Sequence, residues 1–292
     1  MCDELTAKEE EEYLKRTGQL TRRQFGKLSA GAGLAMMLPK VANAVDVIGK
    51  DVSVTMPDGV ADCYFVHPAS GKAPGVLMWP DIFGLRPAFK TMATRLAESG
   101  YSVLVVNPYY RKEKAPVVPE GAGFGDPGIR DKLVSLMQSL TPDVVTKDAL
   151  AYVGFMDQQD VVDKGRKMGT TGYCMGGPFT MRTAAALPDR IGAGGSFHGA
   201  RLAYDGADSP HLLVPKMKAQ FLFAIAENDD KNDPKAKELL REAYDKAGLQ
   251  AEIEVYKGTM HGWCAIDSRV YNQEQAERAW GRLLVLLKKA LV

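Results

Sequence analysis

The pattern of apolar and polar positions changes along the chain. Val52–Met56 and Asp62–Val66 alternate around the turn sequence Pro57-Asp58-Gly59, which predicts an antiparallel pair of strands. Gly75–Trp79 is instead a continuous apolar run, typical of a strand buried on both faces of a sheet. The further predicted strands are Tyr101–Val106, Lys167–Tyr173, Ile191–Phe197, Gln220–Ala226 and Ala251–Tyr256.

Segments with helical periodicity separate these strands. The predicted helices are Phe89–Ser99, Thr146–Met156, Pro178–Leu187, Pro234–Ala247 and Gln275–Leu291. Because strands alternate with helices, the pattern predicts an α/β domain whose mostly parallel sheet is flanked by helices on both faces. Lys112–Arg130 is rich in Pro and Gly, and we expect a loop beside the functional site there.

The N-terminal segment has the order of parts found in an export signal. Arg22-Arg23 precedes the weakly apolar run Leu28–Leu38, and Ala42-Asn43-Ala44 offers small residues at a cleavage site. This order resembles a bacterial twin-arginine signal; the alternative is an amphipathic helix that merely contains the arginine pair. We therefore predict a signal peptide at 1–44, one domain at 45–292, the export machinery as a partner and a periplasmic location.

Composition excludes several classes of protein. The chain has 292 residues, 46% hydrophobic and 25% charged, which is typical of a globular domain. A net charge of +1 argues against a nucleic-acid partner. No apolar run reaches the roughly 18 residues of a membrane-spanning helix, so no stable membrane span is expected. Four cysteines are too few for a disulfide scaffold.

The segment Gly172–Gly177 has the form Gly-x-nucleophile-x-Gly between a predicted strand and a predicted helix. Glycines on either side allow a sharp turn that projects the Cys174 thiol above the strand end. The amide of Met175, at the helix N-terminus, would face developing negative charge. The alternative is a Gly-rich helix start with a buried cysteine.

A thiol nucleophile requires a base, and an acid orients that base. His261 follows the last predicted strand in a glycine-containing loop, and we predict it as the base, whereas His198 follows a buried strand and could border the pocket. Asp229 follows the preceding strand and is the first choice for the acid, with Asp230 as its rival. Nucleophile, acid and histidine then occur in the order of a hydrolase elbow fold.

With these motifs, residues 50–290 resemble the dienelactone hydrolase (carboxymethylenebutenolidase) family of the α/β-hydrolase superfamily. The resemblance rests on Pro80–Leu85, Gly172–Gly177 and the loops at Asp229 and His261. It implies the α/β-hydrolase fold and a triad of Cys174, His261 and Asp229. It also implies an oxyanion hole made by the backbone amides of Met175 and Ile82.

Two positions depart from the family pattern. Asp81 stands where the family has a glutamate that assists thiolate formation, and it is one methylene shorter. Arg111 matches one of two arginines that hold a substrate carboxylate, but Ala265 occupies the position of the second. The resemblance to enzymes that act on dienelactone is therefore weaker than the resemblance to the family. Another ester or lactone remains a candidate substrate.

The predicted function is hydrolysis of a small-molecule ester or lactone through a thioacyl intermediate. Tyr110 and Trp263 are predicted to bind substrate as pocket walls, and Cys63 and Cys264 are expected to be buried thiols rather than a pair. No metal-ligand spacing or nucleotide-binding motif is present, so no cofactor is expected. The alternatives are a thioesterase or peptidase and a non-catalytic binding protein; the absence of a Cys-x-x-Cys pair disfavours a redox protein.

Overall fold

A computed structural model describes residues 4–17 and 38–292, with side chains at 8–15 in the first of these segments. The first segment contains helix α1 (Glu4–Thr17). The arginine pair Arg22-Arg23 lies outside the described residues, so the signal peptide at 1–44 stays a prediction.

Eight strands form one mixed sheet. They are β1 (Val47–Met56), β2 (Gly59–Pro68), β3 (Gly75–Trp79), β4 (Ser102–Val106), β5 (Met168–Tyr173), β6 (Ile191–Phe197), β7 (Gln220–Ala226) and β8 (Ala251–Tyr256). Their spatial order is β1-β2-β4-β3-β5-β6-β7-β8, with β1, β2 and β4 paired antiparallel and every pair from β4 to β8 parallel.

Helices cover both faces of this sheet. They are α2 (Pro87–Glu98), α3 (Ile129–Gln138), α4 (Pro142–Asp157), α5 (Gly176–Ala186), α6 (Glu227–Asn232), α7 (Ala236–Ala247) and α8 (Gln273–Ala290), with a 3₁₀ helix at Pro210–Lys216. Apolar side chains of α3, α4, α5 and α7 pack into the core on one face. Those of α2 and α8 pack into a second core on the other face. The predicted α/β architecture is confirmed.

The bounds of the parallel strands follow the sequence pattern closely, whereas β1 and β2 are each ten residues long and extend beyond the predicted Val52–Met56 and Asp62–Val66. The helices that the pattern missed have physical explanations. β3, β6, β7 and β8 begin and end at the predicted residues, because each is a short apolar run closed by turn residues. α3 begins inside the predicted loop Lys112–Arg130 and buries only Leu133 and Leu136, so its apolar stripe is weak. α6 is six residues long and mostly polar, and it buries only Asn228.

The carboxyl ends of the parallel strands bring the predicted functional residues to one edge of the sheet. Ile82 follows β3, Cys174 follows β5, Asp229 follows β7 and His261 follows β8. Ligands bind at this edge in parallel α/β sheets because the loops that leave the strands converge there. The order of strands therefore places the oxyanion loop on one side of Cys174 and the acid and histidine on the other.

Close backbone contacts at the start of α5 require glycine. A Cβ on Gly172 would lie 2.0 Å from the carbonyl oxygen of Gly176, and a Cβ on Gly176 would lie 2.6 Å from that of Trp79. A Cβ on Gly177 would lie 2.5 Å from the Cα of Gly199. Since backbone atoms cannot move aside cheaply, these glycines let α5 pack against its neighbouring loops.

We expect Gly176→Ala to lower the free energy of unfolding by about 1–3 kcal/mol, because the new methyl group overpacks against backbone. Gly154→Ala is the matched control: Gly154 lies inside α4, and a Cβ there meets nothing within 4 Å. Alanine should stabilise that helix by about 0.5–1 kcal/mol. Urea unfolding of both variants measures the difference, and equal stabilities would contradict this account of the elbow.

Candidate active site

Cys174 lies at the turn from β5 into α5 with a left-handed backbone, φ 51°. Such a conformation is uncommon for a residue with a side chain and is found at functional sites. The turn is held because the Cys174 amide donates to the carbonyl oxygen of Phe197 at 3.0 Å, while the Ala200 amide donates to the Cys174 carbonyl at 3.1 Å. Cys174 is only 3% exposed. The geometry is that of the predicted nucleophile elbow.

His261 is bonded to both of its predicted partners. Its Nδ1 lies 2.8 Å from Oδ2 and 3.0 Å from Oδ1 of Asp229, and its ring is also hydrogen-bonded to the Cys174 side chain. Asp230, the rival for the acid, instead accepts from Lys237 Nζ at 2.6 and 2.8 Å. The structure therefore brings Cys174, His261 and Asp229 into one hydrogen-bonded chain.

Electrostatics favour a charged pair in this chain. Burial alone would lower the pKa of His261, but the charges of Asp229 and Cys174 and the hydrogen bonds to both raise it to about 10. A cationic imidazole beside the thiol, together with the N-terminal end of α5, favours the thiolate form of Cys174.

Asn228 is a positioning residue that the sequence did not single out. Its Oδ1 accepts from the backbone amide of His261 at 2.8 Å, which fixes the loop on which the histidine stands. Its Nδ2 donates to Glu9 of α1 at 2.7 Å, and Asn232 donates to the same carboxylate at 3.1 Å. Helix α1 therefore contacts the acid loop. In the sequence, the one sign of this role was that Asn228 stands next to Asp229, the candidate acid.

A tyrosine contacts both residues whose backbone amides form the predicted oxyanion hole. The Tyr109 hydroxyl donates to the carbonyl oxygen of Ile82 at 2.7 Å and lies 3.3 Å from Met175 Sδ. Within the part of the chain that the structure describes, the amides of Ile82 and Met175 have no protein acceptor. Both therefore remain available to an oxyanion. Tyr109, which is 1% exposed, holds the Ile82 peptide in place.

Asp81 lies beside the nucleophile but its carboxylate is engaged by an arginine. Arg86 donates to Asp81 at 2.7 and 2.9 Å and to Asp267 at 2.6 and 2.8 Å. The Phe83 amide also donates to Asp81 at 2.9 Å. The predicted assistance to the thiolate stays a prediction, and Arg86, which the sequence analysis did not identify, is a buried member of this site.

The predicted substrate-binding residues lie elsewhere. Arg111 pairs with Asp58 and Asp148, at 2.7 and 2.6 Å, and the Tyr110 hydroxyl donates to Asp148 at 3.0 Å. Trp263 is fully buried and stacks on Tyr256 with ring centroids 4.8 Å apart. None of the three lines the cavity at Cys174 within the described chain, so their substrate contacts stay predictions.

A cavity of about 180 Å³ opens at Cys174. Cys174, His198 and His261 lie on its inner side, Arg86 and Asp267 line another part, and residues 116–124 form a wall, as the predicted loop beside the site requires. Glu10 of α1 also lines it. The lining is mainly apolar, which suits a small ester with a hydrophobic acyl group.

The other two described cysteines are free thiols, as expected. Cys63 and Cys264 are buried and unpaired with one another, and burial raises the pKa of Cys63 to about 12. In residues 4–17 and 38–292, no cluster of three or more His, Cys, Asp or Glu side chains could hold a metal ion. No helix in those ranges has the length and apolarity needed to cross a membrane.

Comparison with known proteins agrees with the geometry. The model of the “Dienelactone hydrolase family” matches residues 61–291. A “Putative carboxymethylenebutenolidase” of Methylorubrum extorquens is 29% identical over 277 residues, covering 90% of this chain and 91% of that protein. A “Probable 2-oxo-3-(5-oxofuran-2-ylidene)propanoate lactonase” of Bradyrhizobium sp is 24% identical over 230 residues, covering 77% and 88%.

A solved structure described as “Putative Dienelactone Hydrolase from Klebsiella pneumoniae” superposes with a TM-score of 0.71 at 24% identity, covering 84% of this chain and 99% of the other. The sheet order and this likeness define the fold as that of the α/β hydrolases, and the family match identifies the class as a hydrolase. Since the family model covers most of the sequence, the chain belongs to the dienelactone hydrolase family.

We expect Tyr109→Phe to lower kcat about 10-fold and to change KM less than about 2-fold, because the loss of one hydroxyl loosens a donor that acts on the oxyanion only in the transition state. The matched control is Tyr244→Phe, since the Tyr244 hydroxyl lies 3.8 Å from Met217 Sδ in the core. Steady-state ester hydrolysis measures both variants. A kcat for Tyr109→Phe equal to that of the control would refute the positioning role.

Proposed function

We propose that the protein hydrolyses a small neutral carboxylic ester or lactone through a Cys174–His261–Asp229 triad and a thioacyl intermediate. The observation that carries this proposal is the unbroken hydrogen-bonded chain from the Asp229 carboxylate through the His261 ring to the Cys174 side chain. Cys174 and His261 line one cavity, beside which the backbone amides of Ile82 and Met175 have no acceptor among the described residues.

In acylation, the thiolate sulfur of Cys174 attacks the carbonyl carbon, and the carbonyl electron pair moves onto oxygen. The amides of Met175 and Ile82 stabilise that oxyanion. When the tetrahedral intermediate collapses, the bond to the alkoxide breaks, and His261 Nε2 gives its proton to the leaving oxygen. Asp229, bonded to Nδ1, stabilises the imidazolium until that transfer.

In deacylation, the neutral imidazole of His261 takes a proton from water as the water oxygen attacks the thioester carbonyl. The carbon–sulfur bond then breaks, the sulfur leaves as thiolate, and the acid is released. The raised pKa of His261 supports the restored thiolate–imidazolium pair as the resting state.

A neutral substrate fits the charges of the cavity. Arg86 is neutralised by Asp81 and Asp267, and Arg269 lies 3.5 Å from Asp126. Glu120 also lines the cavity. Among the described residues that line it, no unpaired cation is present to bind a substrate carboxylate. The name of one relative gives a lactone that carries a carboxylate, 2-oxo-3-(5-oxofuran-2-ylidene)propanoate. The paired cations of this cavity instead favour an ester or lactone without a carboxylate.

The test is hydrolysis of a neutral aryl butyrate and of its anionic hemisuccinate analogue by the full chain. We expect kcat/KM at least about 10-fold higher for the neutral ester, and a loss of kcat of about 10⁴-fold or more in Cys174→Ala. Mass spectrometry of the quenched enzyme should find the acyl group on Cys174 and nowhere in the variant.

The control is Cys264→Ala, a buried thiol that no step uses, which should keep the wild-type rate. Turnover that survives Cys174→Ala would contradict the nucleophile. Preference for an acyl thioester over every oxygen ester would instead favour a thioesterase, and a wild type that binds esters without turnover would favour a binding protein.

We also propose that residues 1–44 direct the protein through the twin-arginine pathway to the periplasm. Cleavage after Ala44 would leave the sheet whole, because β1 begins at Val47. It would also remove α1, whose Glu9 and Glu10 contact the acid loop and the cavity.

Replacing Arg22 and Arg23 together by lysine should retain the precursor in the cytoplasm, since the export machinery reads that pair. Arg16→Lys, which leaves the pair intact, is the control. Immunoblots of periplasmic and cytoplasmic fractions report the result. Normal export of the double variant would contradict the proposal.

A further inference from the structure

His198 occupies an unusual position at the carboxyl end of β6. Its backbone is left-handed, with φ 39°, a conformation that stores strain in a residue with a side chain. Its amide donates to the carbonyl oxygen of Ala224 at 2.8 Å, and the preceding residue, Phe197, accepts from the Cys174 amide at 3.0 Å. The residue is therefore fixed in register with the nucleophile.

Its imidazole is a buried polar group without a hydrogen-bond partner among the described residues. The residue is 0% exposed, and neither Nδ1 nor Nε2 hydrogen-bonds another residue of the described chain. Leaving a buried polar group unsatisfied costs free energy of folding. The side chain nevertheless lines the cavity with Cys174 and His261, and its ring meets that of His261 edge-on with centroids 5.1 Å apart.

Strand order shows which part of a bound ester this ring would meet. Ile82 follows β3, on one side of the nucleophile strand β5, so the carbonyl oxygen of a substrate turns toward that side. β6 lies on the opposite side of β5, and the ring of His198, which follows β6, contacts the His261 ring. The leaving group departs on the side of His261, because His261 protonates it. Water enters on the same side, because His261 deprotonates it.

We propose that His198 is a catalytic residue that hydrogen-bonds the leaving-group oxygen during acylation and the attacking water during deacylation. The inference rests on the proposed function, since it concerns the same thioacyl pathway. One neutral imidazole has one N–H donor and one lone pair, which match an ether or ester oxygen in the first step and a water in the second.

The charge state of the ring agrees with this role. Burial and the neighbouring His261 cation lower the pKa of His198 well below its ordinary value, so the ring stays neutral while His261 carries the proton. His198 therefore does not compete for the proton that His261 transfers. It orients the oxygen atom that gives or receives that proton.

Two substitutions separate this role from packing. His198→Phe keeps a ring of similar shape beside His261 and removes both nitrogens. His198→Asn loses the ring but keeps a donor and an acceptor, and asparagine is well tolerated at positive φ. A packing role would spare the Phe variant, whereas a hydrogen-bonding role would spare the Asn variant.

Stopped-flow hydrolysis of a p-nitrophenyl ester resolves the steps, because that leaving group departs without assistance. In His198→Phe we expect a burst of nitrophenolate within about 3-fold of the wild-type burst rate, followed by turnover about 10²-fold slower and accumulated acyl-Cys174. With an alkyl ester the same variant should also lose acylation. His198→Asn should keep both rates within about 10-fold.

A Phe variant with wild-type turnover, or an Asn variant as impaired as the Phe variant, would overturn the inference. Thermal unfolding of both confirms that each is folded. The proposed function fails separately: it is contradicted if the wild type hydrolyses esters without an adduct on Cys174, whichever way the two His198 variants behave.

Discussion

At the turn that contains Cys174, backbone segments approach so closely that there is no room for a Cβ atom between them. Gly172 and Gly176 meet backbone to backbone there, and Gly177 packs against the loop after β6. With those contacts, a left-handed cysteine is held by amide hydrogen bonds to Phe197 and Ala200. The other functional groups lie around this turn. The strained backbone of Cys174 is therefore supported by the strands at the centre of the sheet.

Burial of charge is the second condition that shapes the site. The imidazole of His261 lies in the interior only because Asp229 and Cys174 offset its charge. Arg86 is likewise buried between Asp81 and Asp267. Each group holds one cation between two acidic side chains, so the described residues leave no unpaired cation in the cavity to attract an anionic ligand, and its mainly apolar surface suits a neutral one.

Much of this arrangement could be read from the sequence, for identifiable reasons. The strands are short apolar runs between turn residues, so their bounds and the residues that follow them were predictable. Cys174, Asp229 and His261 follow such strands. Tyr109, Asn228 and Arg86 act through contacts with residues of other loops, and the one local sign of them was the place of Asn228 beside Asp229. Arg111 matched a family position, yet its neighbours Asp58 and Asp148, which are remote in sequence, bind its guanidinium.

The depth of the thiol has a consequence for how long the enzyme survives. At 3% exposure, Cys174 is open to small oxidants through the cavity that, under the proposed function, also admits substrate. Oxidation and turnover therefore compete for one entrance, and an occupied cavity shields the sulfur. The working lifetime of each molecule becomes a function of substrate supply: it is shortest when the enzyme is idle and longest when the cavity is saturated.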